Sequence, residues 1–188
     1  MKEAIIRFYK FSKFIILFMI FALLTRIYVF QPYVVDGQSM EPNLHNKDIL
    51  VVERMSYYLH QPERGDIVIF YPPGSGRETY VKRIIGLPGE KIQITPNGVL
   101  VNDRRLPEEY LSSTTASRTF RDTNSPAGRP LVLKDDEYFL MGDNREHSSD
   151  SRNWGQIKKS AIVGKTELVA LPRTSFHVLA APDYNFPF

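Results

Sequence analysis

The hydrophobic positions of the chain follow one pattern up to about residue 30 and a different pattern afterwards. Residues 14–24 form an uninterrupted apolar run, Thr25 and Arg26 interrupt it, and apolar residues resume up to Phe30. A stretch of this length is at the short end of the roughly 17–25 residues that span a bilayer as a helix. The pattern therefore predicts a membrane-anchoring helix at 14–30, with the long Arg26 side chain reaching the far interface.

After residue 30 the apolar runs are short, rich in β-branched residues and bounded by turn residues, which is typical of strands. Two of them flank Pro-Asn-Gly at 96–98, and alternation around Asn-Gly strongly favours a β-hairpin. Helical turns are predicted only at 54–59 and 156–161. The predicted strands lie at 48–53, 66–71, 79–85, 92–95, 99–101, 137–141 and 162–171.

These elements predict a mostly β fold of coiled antiparallel sheets, barrel-like in form, preceded by one N-terminal transmembrane helix. Residues 108–129 depart from the strand pattern, since they are rich in Ser, Thr, Arg and Asp and poor in large apolar residues. We therefore expect an exposed insertion there, projecting from the core. The predicted organisation is a cytoplasmic tail at 1–13, the anchor at 14–30 and an extracytoplasmic domain at 31–188.

The charges are distributed as an anchor of this kind requires. The net charge of the whole chain is +3, and residues 1–13 alone carry four basic residues and one acidic residue. Residues 31–188 carry 19 basic and 20 acidic residues, so this domain is close to neutral. A near-neutral domain disfavours nucleic-acid binding, which needs a basic face. By the positive-inside rule the N-terminus is cytoplasmic, and the domain lies outside the cell membrane.

A cleaved signal peptide is an alternative interpretation of the N-terminal segment, because it also has a basic start and an apolar core. Its cleavage site would need small residues at positions −3 and −1, and residues 25–32 offer none. A buried soluble helix is a third interpretation, and the four cations directly before the run favour the membrane instead. The uncleaved anchor is the interpretation that the residues support best.

Two distant residues have the pattern of a serine/lysine hydrolase. Ser39 follows a glycine-started bend, and Lys82 lies in the apolar run at 80–85. Serine needs a base to become a nucleophile, and lysine serves as that base only when burial among apolar side chains lowers its pKa. Strand alternation places Lys82 and Arg83 on opposite faces, so only one of them can face a dry site. The alternative for Lys82 is a solvated lysine on an edge strand.

Other chemistries have less support. The chain has no cysteine, which excludes a cysteine nucleophile and thiolate metal sites. Its four histidines are scattered, so no histidine-based triad is visible. Asp143 and Asp150 have a spacing that occurs in calcium loops, but Arg145 and Arg152 would repel a cation, so we expect a structural turn. No metal or cofactor is expected.

Four segments in order carry a resemblance to a known family. They are SMEPNL at 39–44, GDIVIF at 65–70, YVKRIIGLPGE at 80–90 and GDNREHSSDSR at 142–152. Behind an N-terminal anchor, this arrangement resembles bacterial type I signal peptidases, the membrane-bound serine proteases that remove signal peptides from exported proteins. The single-anchor, compact form resembles the Gram-positive version. The resemblance covers nearly all of 31–171 and implies the catalytic fold that signal peptidases share with LexA-like proteins.

The resemblance implies a role for each matching position. Ser39 would be the nucleophile and Lys82 the general base. Ser148 would hydrogen-bond and orient the lysine ammonium. Asp150 and Arg152 would form a supporting salt-bridged pair behind it.

The resemblance also implies roles for the surrounding turns. Gly37 stands where some members carry a serine that helps the oxyanion hole, which leaves the Ser39 N–H as the main donor. Asp143, Asn144 and Arg145 would shape the turn beside the site. Asn43 replaces the usual threonine, and we expect this position to be structural.

As a signal peptidase, the chain would cleave preproteins after small residues, with the signal peptide bound as an extended strand by β-addition. We also expect Tyr33, Met40, Tyr57 and Tyr58 to form a patch that enters the lipid interface. Two alternatives remain. A related self-cleaving serine/lysine repressor would need a helix-turn-helix and an internal Ala-Gly site, and neither is present. A catalytically inactive membrane-anchored β module is disfavoured because the set of site residues is intact.

Overall fold

The computed structural model describes residues 2–28, 30–96, 98–111, 129–172, 176–179, 182 and 184. One long helix is followed by a domain made mostly of strands. The helices are α1 (Lys2–Tyr28), α2 (Ser56–Leu59) and α3 (Ser151–Trp154), and a 3₁₀ turn covers Lys159–Ala161. The strands are β1 (Phe30–Val34), β2 (Ile49–Glu53), β3 (Ile67–Phe70), β4 (Tyr80–Gly86), β5 (Lys91–Thr95), β6 (Gly98–Val101), β7 (Arg104–Arg105), β8 (Leu131–Val132), β9 (Glu137–Met141), β10 (Ile157–Lys158), β11 (Ile162–Leu171) and β12 (His177–Val178).

The strands form two antiparallel sheets. The large sheet has eight strands in the order β1-β2-β11-β3-β4-β9-β10, with β12 paired to β11. The small sheet has four strands in the order β7-β6-β5-β8. Register shifts interrupt the pairing of β11 with β2 and β3, and of β4 with β9, and such irregularities increase the local twist of a sheet. The predicted mostly β fold class is confirmed.

The core consists of three clusters of buried apolar side chains distributed along the sheets. One cluster lies beneath the segment that carries Ser39 and includes Met40, Leu44, Leu50 and Ile69. Met40 is 1% exposed and Leu44 is fully buried, so this segment is anchored from below by two of its own side chains. A second cluster lies between β3, β4 and β9, and a third joins β4 and β9 to the small sheet.

All seven predicted strands are present, with ends within one residue of the predicted ones. The predicted hairpin is confirmed by the pairing of β5 with β6. Helix α2 and the 3₁₀ turn lie in the two ranges predicted for helical turns. Helix α3 was not predicted, because a single helical turn shows no periodicity. It begins at a capping box in which Asp150 and Asn153 exchange side-chain and backbone hydrogen bonds.

The N-terminal helix and the predicted anchor have different ends. Helix α1 begins at Lys2 and includes the segment predicted as a separate tail. Phe30, predicted as the last anchor residue, instead begins β1 and pairs with Glu53. Among the residues that the structure describes, no helix combines the length and the apolarity needed to cross a bilayer. The membrane anchor at 14–30 therefore stays a prediction.

The beginning of the predicted insertion also differs from the expectation. Leu111 is 8% exposed, and the Glu108 side chain is 8% exposed and paired with Arg145. Glu108 and Leu111 are therefore packed on the domain, whereas Glu109 between them is exposed. Residues 112–128 of the predicted insertion lie outside the described part of the chain.

Candidate active site

Ser39 lies on a tight turn between β1 and β2. Gly37 begins the turn with φ of +104°, a conformation that favours glycine, and its N–H donates to Asn46 Oδ1 at 3.0 Å. The Glu41 N–H donates to the Gln38 carbonyl at 3.2 Å and closes the bend around the serine. The turn thus presents a half-buried Ser39 side chain above the buried Met40.

Lys82 lies on β4 and meets Ser39 directly. Its Nζ is 2.7 Å from Ser39 Oγ and donates to the Val81 carbonyl at 2.9 Å. The residue is 3% exposed. Burial lowers the pKa of Lys82 to about 8, although the nearby charges of Asp150 and Asp143 act in the opposite direction. A substantial fraction of the lysine is therefore neutral near pH 8, and in that form it can accept the serine proton.

A turn at 142–144 holds the Ser39 backbone from the other side. The Asn144 N–H donates to the Ser39 carbonyl at 3.0 Å, and Asn144 Nδ2 donates to the Gln38 carbonyl at 3.1 Å. A Cβ on Gly142 would lie 2.5 Å from the Ser39 carbonyl oxygen and would clash with Ser148 Oγ. Glycine is therefore required at 142 because two backbone segments and a side chain meet there.

Asp150 and Arg152 form a buried ion pair next to this turn. Arg152 Nε and Nη2 each donate to the Asp150 carboxylate at 2.8 Å, and the Gly142 N–H donates to it at 3.0 Å. Burial by itself would raise the pKa of Asp150, but the hydrogen bonds and charge of Arg152 more than offset this and hold it below the ordinary value. Asp150 is therefore a carboxylate whose charge is largely neutralised by Arg152.

Ser148 occupies the space between this ion pair and Gly142. Its hydroxyl helps to lower the pKa of Asp150. Its Oγ is buried, and within the described part of the chain it has no hydrogen-bond partner of good geometry. The predicted hydrogen bond from Ser148 to Lys82 is thus not formed in this arrangement, and its orienting role stays a prediction.

Arg83 points away from Lys82, as strand alternation predicts, and forms a second buried ion pair. Its Nε and Nη2 donate to Asp143 at 2.9 and 2.7 Å, and its Nη1 donates to the Gly65 carbonyl at 2.9 Å. Asn43 Nδ2 donates to the same Asp143 carboxylate at 2.8 Å. Arg83 and Asn43 therefore link the strand of the lysine to the turn of the serine.

The contacts of Arg83 and Asn43 with Asp143 were not predicted, although all three residues lie in the segments that carry the family resemblance. The position of Arg83 on the face opposite Lys82 was the available signal, because a buried arginine requires a carboxylate partner. Asp143, Asn144 and Arg145, predicted to shape the turn, do contact it: Arg145 Nε donates to the Gly142 carbonyl at 3.0 Å. Neither the Asp143 nor the Asp150 carboxylate is arranged as a calcium ligand, since each binds a guanidinium.

A groove of about 700 Å³ runs from Ser39 and Lys82 between two backbone segments. Residues 33–39 line one side and residues 77–82 line the other, with His147 and Ser149 also on its wall. β1 is an edge strand, and β9 pairs with β4 only from Arg83 onward. Among the strands that the structure describes, none pairs with the first residues of β4 on that side, which leaves room for an added strand.

A lysine whose pKa is lowered by burial, placed against a serine at the end of such a groove, is the arrangement that a serine/lysine hydrolase requires. The comparisons with known proteins extend this class to a family. The family model described as "Signal peptidase, peptidase S26" matches residues 8–171 of the chain.

Individual relatives agree with the match. "Signal peptidase I P" from Bacillus subtilis subsp. natto is 41% identical over 163 residues, which cover 85% of this chain and 87% of the relative. "Signal peptidase I S" from Bacillus subtilis (strain 168) is 38% identical over 167 residues, which cover 87% of this chain and 89% of the relative. A solved signal peptidase I from Enterococcus faecalis V583 is 30% identical, with a TM-score of 0.46 and coverage of 56% of this chain and 97% of that one. From the family match and the two Bacillus relatives, the chain belongs to the signal peptidase family, peptidase S26.

Proposed function

We propose that the chain is a serine endopeptidase that removes N-terminal signal peptides from exported preproteins. The observation that carries the proposal is the 2.7 Å distance between Lys82 Nζ and Ser39 Oγ, with Lys82 only 3% exposed. This distance lies within the range of roughly 2.6–3.2 Å over which a general base takes a proton.

In the proposed mechanism, Ser39 Oγ attacks the scissile carbonyl carbon as its proton passes to Lys82 Nζ. The Ser39 main-chain N–H stabilises the oxyanion of the tetrahedral intermediate. Lys82 then gives its proton to the leaving amine, and the peptide bond breaks to leave an acyl-enzyme. In the second half of the cycle a water molecule loses a proton to Lys82 and attacks the ester carbonyl. The bond to Ser39 Oγ then breaks, Lys82 returns the proton to Ser39 Oγ, and the acid is released.

Two neighbouring charges modify the pKa that burial of Lys82 lowers. The carboxylate of Asp150 favours the charged form of Lys82, and the positive charge of Arg152 opposes it. We propose that Arg152 is retained because it neutralises Asp150 and so keeps the pKa of Lys82 low. In this proposal the buried Ser148 hydroxyl orients the ammonium after proton transfer.

The groove supports an extended substrate bound as a strand. Its floor includes Val35, Leu50 and Ile69, which are 4%, 0% and 3% exposed. All three belong to one packed apolar cluster, so they have little freedom to move aside for a large substrate side chain. We therefore propose that the residues before the scissile bond that point into the floor are small, such as alanine.

We further propose that α1 holds the domain at a membrane, with the N-terminus on the cytoplasmic side. Its support is the exposed apolar side chains between Phe14 and Leu23 and the cations that precede them. The lipid patch must be redefined, because Met40 is buried and the Tyr57 hydroxyl binds Asp66 at 2.8 Å. Exposed apolar residues on and before α2 replace them in the proposal: Met55, Tyr58 and Leu59.

Cleavage of a purified preprotein by the full chain tests the proposed activity. Ser39→Ala and Lys82→Ala should each lower kcat by about three orders of magnitude or more, and their effects should not add because the two residues act as a unit. Lys134→Ala is the matched control, since that lysine side chain is 79% exposed. Wild-type rates in either site variant would rule out the assigned pair.

A further inference from the structure

The described residues of the C-terminal tail, 176–179, 182 and 184, contact the large sheet and the cluster next to β4. β12 pairs with β11, and the Leu179 N–H donates to the Glu167 carbonyl at 2.7 Å, which fastens the tail to the large sheet. Further along, Tyr184 packs against the cluster that contains Ile85 and Met141. The family model ends at residue 171, so these contacts lie outside the part of the chain that it matches.

Tyr184 reaches the Arg83 side chain through Gly65. A Cβ on Gly65 would lie 2.9 Å from Tyr184 Cε2 and 3.0 Å from Pro182 Cδ, so the tail touches this glycine directly. The Gly65 carbonyl accepts a hydrogen bond from Arg83 Nη1. Burial raises the pKa of Tyr184 to about 12 while the charge of Arg83 lowers it, so the ring is buried within electrostatic range of the guanidinium.

Another tyrosine, Tyr110, lies over the Arg83 guanidinium. The centroid of the Tyr110 ring is 4.2 Å from Arg83 Cζ, a cation–π distance. Tyr110 comes from the start of the predicted insertion and Tyr184 from the tail, and both pack against one apolar cluster. Excluding water from the Arg83–Asp143 pair lowers the local dielectric constant and strengthens the attraction between the two charges.

We propose that the C-terminal tail is a positioning element of the catalytic centre, with Tyr184 as its contact residue. The inference rests on the proposed function, because Arg83 follows the base Lys82 on β4 and its partner Asp143 binds Asn43 of the nucleophile turn. Holding Arg83 therefore holds both halves of the Ser39–Lys82 pair. Tyr184 is a positioning residue and takes no part in the chemistry itself.

The test compares Tyr184→Ala, Tyr184→Phe and Phe176→Ala in the full chain. Tyr184→Ala should lower kcat for a preprotein by about 10- to 100-fold, since small displacements of reacting groups have effects of this size. Its KM should change by less than about twofold, because the groove is untouched. The acidic limb of its pH–rate profile should move to higher pH, because a better hydrated Lys82 has a higher pKa.

The two other variants are controls. Tyr184→Phe should keep wild-type kcat, since the ring makes the contacts. Phe176→Ala removes an aromatic side chain from the same tail that is 63% exposed, and it should behave as wild type. Tyr184→Leu replaces the alanine variant in these comparisons if that variant does not fold.

An NMR titration of Lys82 in the same full-length variants separates this inference from the proposed function. A wild-type chain that cleaves no preprotein would overturn the proposed function, and the Lys82 pKa in Tyr184→Ala would still decide the role of the tail. An unchanged Lys82 pKa in Tyr184→Ala would overturn the inference, whether or not kcat falls. A Tyr184→Phe variant whose kcat falls as far as that of Tyr184→Ala would also overturn the inference.

Discussion

Lys82 is the residue whose environment determines what the site can do. Its ammonium would be an ordinary solvated cation on an edge strand, but the fold places it beneath the Ser39 turn and next to two carboxylates. Both carboxylates are paired with arginines, Asp143 with Arg83 and Asp150 with Arg152. Burial therefore dominates over attraction, and the pKa falls to about 8 instead of rising.

The pH dependence of cleavage should report this pKa. Activity requires neutral Lys82, so kcat should rise with pH through an apparent pKa of about 8 and then level off. The measurement is a pH–rate profile on a preprotein between pH 6 and about 10, over which the fold is checked by circular dichroism. A rate that is constant across this range would show that lysine deprotonation does not limit the reaction.

The stability of the fold should also record the buried lysine. The pKa of Lys82 is lower in the folded chain than the ordinary 10.5 of the unfolded chain, so the unfolded chain binds more protons between these values. Stability from this group therefore rises with pH from about 8 to 10.5. Below pH 8, Lys82→Met should stabilise the chain by up to about 3 kcal/mol, less the lost hydrogen bonds.

Denaturant unfolding at pH 7 and pH 10 measures this effect. The advantage of Lys82→Met should be largest at pH 7 and should shrink at pH 10, where the wild-type lysine is neutral in the fold. Lys134→Met changes an exposed lysine and should show neither effect. A Lys82→Met variant that is less stable than wild type at pH 7 would contradict the assignment of a strained, buried base.

Among the elements, the Ser39 turn and the 142–144 turn pack together without room for a side chain at position 142. This contact requires glycine at position 142, because the Ser39 carbonyl and the Ser148 side chain occupy the space that a Cβ would fill. β4 supplies Lys82 on one face and Arg83 on the other. Lys82 contacts the Ser39 turn, and Arg83 contacts Asp143 of the 142–144 turn. The catalytic geometry is thus a property of three segments that are distant in sequence.

Gly142→Ala should disrupt this contact. The added methyl group has no free space, so either Ser39 or Ser148 must move, and kcat should fall by about 100-fold. Overpacking should also destabilise the fold by about 1–3 kcal/mol. Gly164→Ala is the matched control, because a Cβ there would clash with the Glu53 carbonyl, away from the site. If folded Gly164→Ala lost kcat to the same extent, the effect would be general and not local.

For the whole molecule, α1 and the β domain are two units with different surfaces. Among the described residues of α1, ten large apolar side chains between Phe8 and Leu23 are more than half exposed. The large apolar side chains of the sheets are mostly buried. β1 begins directly after α1, and Ser39 follows five residues after its last residue, Val34. A membrane-bound α1 would therefore keep the nucleophile near the bilayer surface.

Single substitutions in α1 test the proposed anchoring in the full chain. Ile20→Lys places a charge near the middle of the apolar run and should shift the chain from the membrane to the soluble fraction, since such a charge costs about 2.5–3.5 kcal/mol at a helix centre. Tyr9→Lys, close to the basic N-terminal end, should leave the distribution unchanged. Equal amounts of wild type and Ile20→Lys in the membrane pellet after alkaline extraction would argue against α1 as the anchor.

Local patterns were sufficient for the strands, the hairpin and the opposite faces of Lys82 and Arg83. Alternation and turn residues act over a few neighbouring positions, so they can be read without knowing the fold. Gly37 and the 142–152 motif were recognisable for a similar reason, because their backbone requirements are encoded in residue type. Strand β1 escaped prediction because it follows the apolar run of α1 almost directly, and the short strands β7, β8, β10 and β12 escaped it because two residues carry no periodicity.

The sequence by itself determined the residues of the site, the strand framework and the family resemblance. Only the tertiary structure decided which partners they meet: that Ser39 and Lys82 are 2.7 Å apart, that Arg83 binds Asp143, and that Tyr110 lies over Arg83 with Tyr184 buried nearby. The physical reason is separation along the chain. Burial, desolvation and ion pairing arise between segments 43 to 100 positions apart, and no local pattern records which distant segment supplies the other half of a contact.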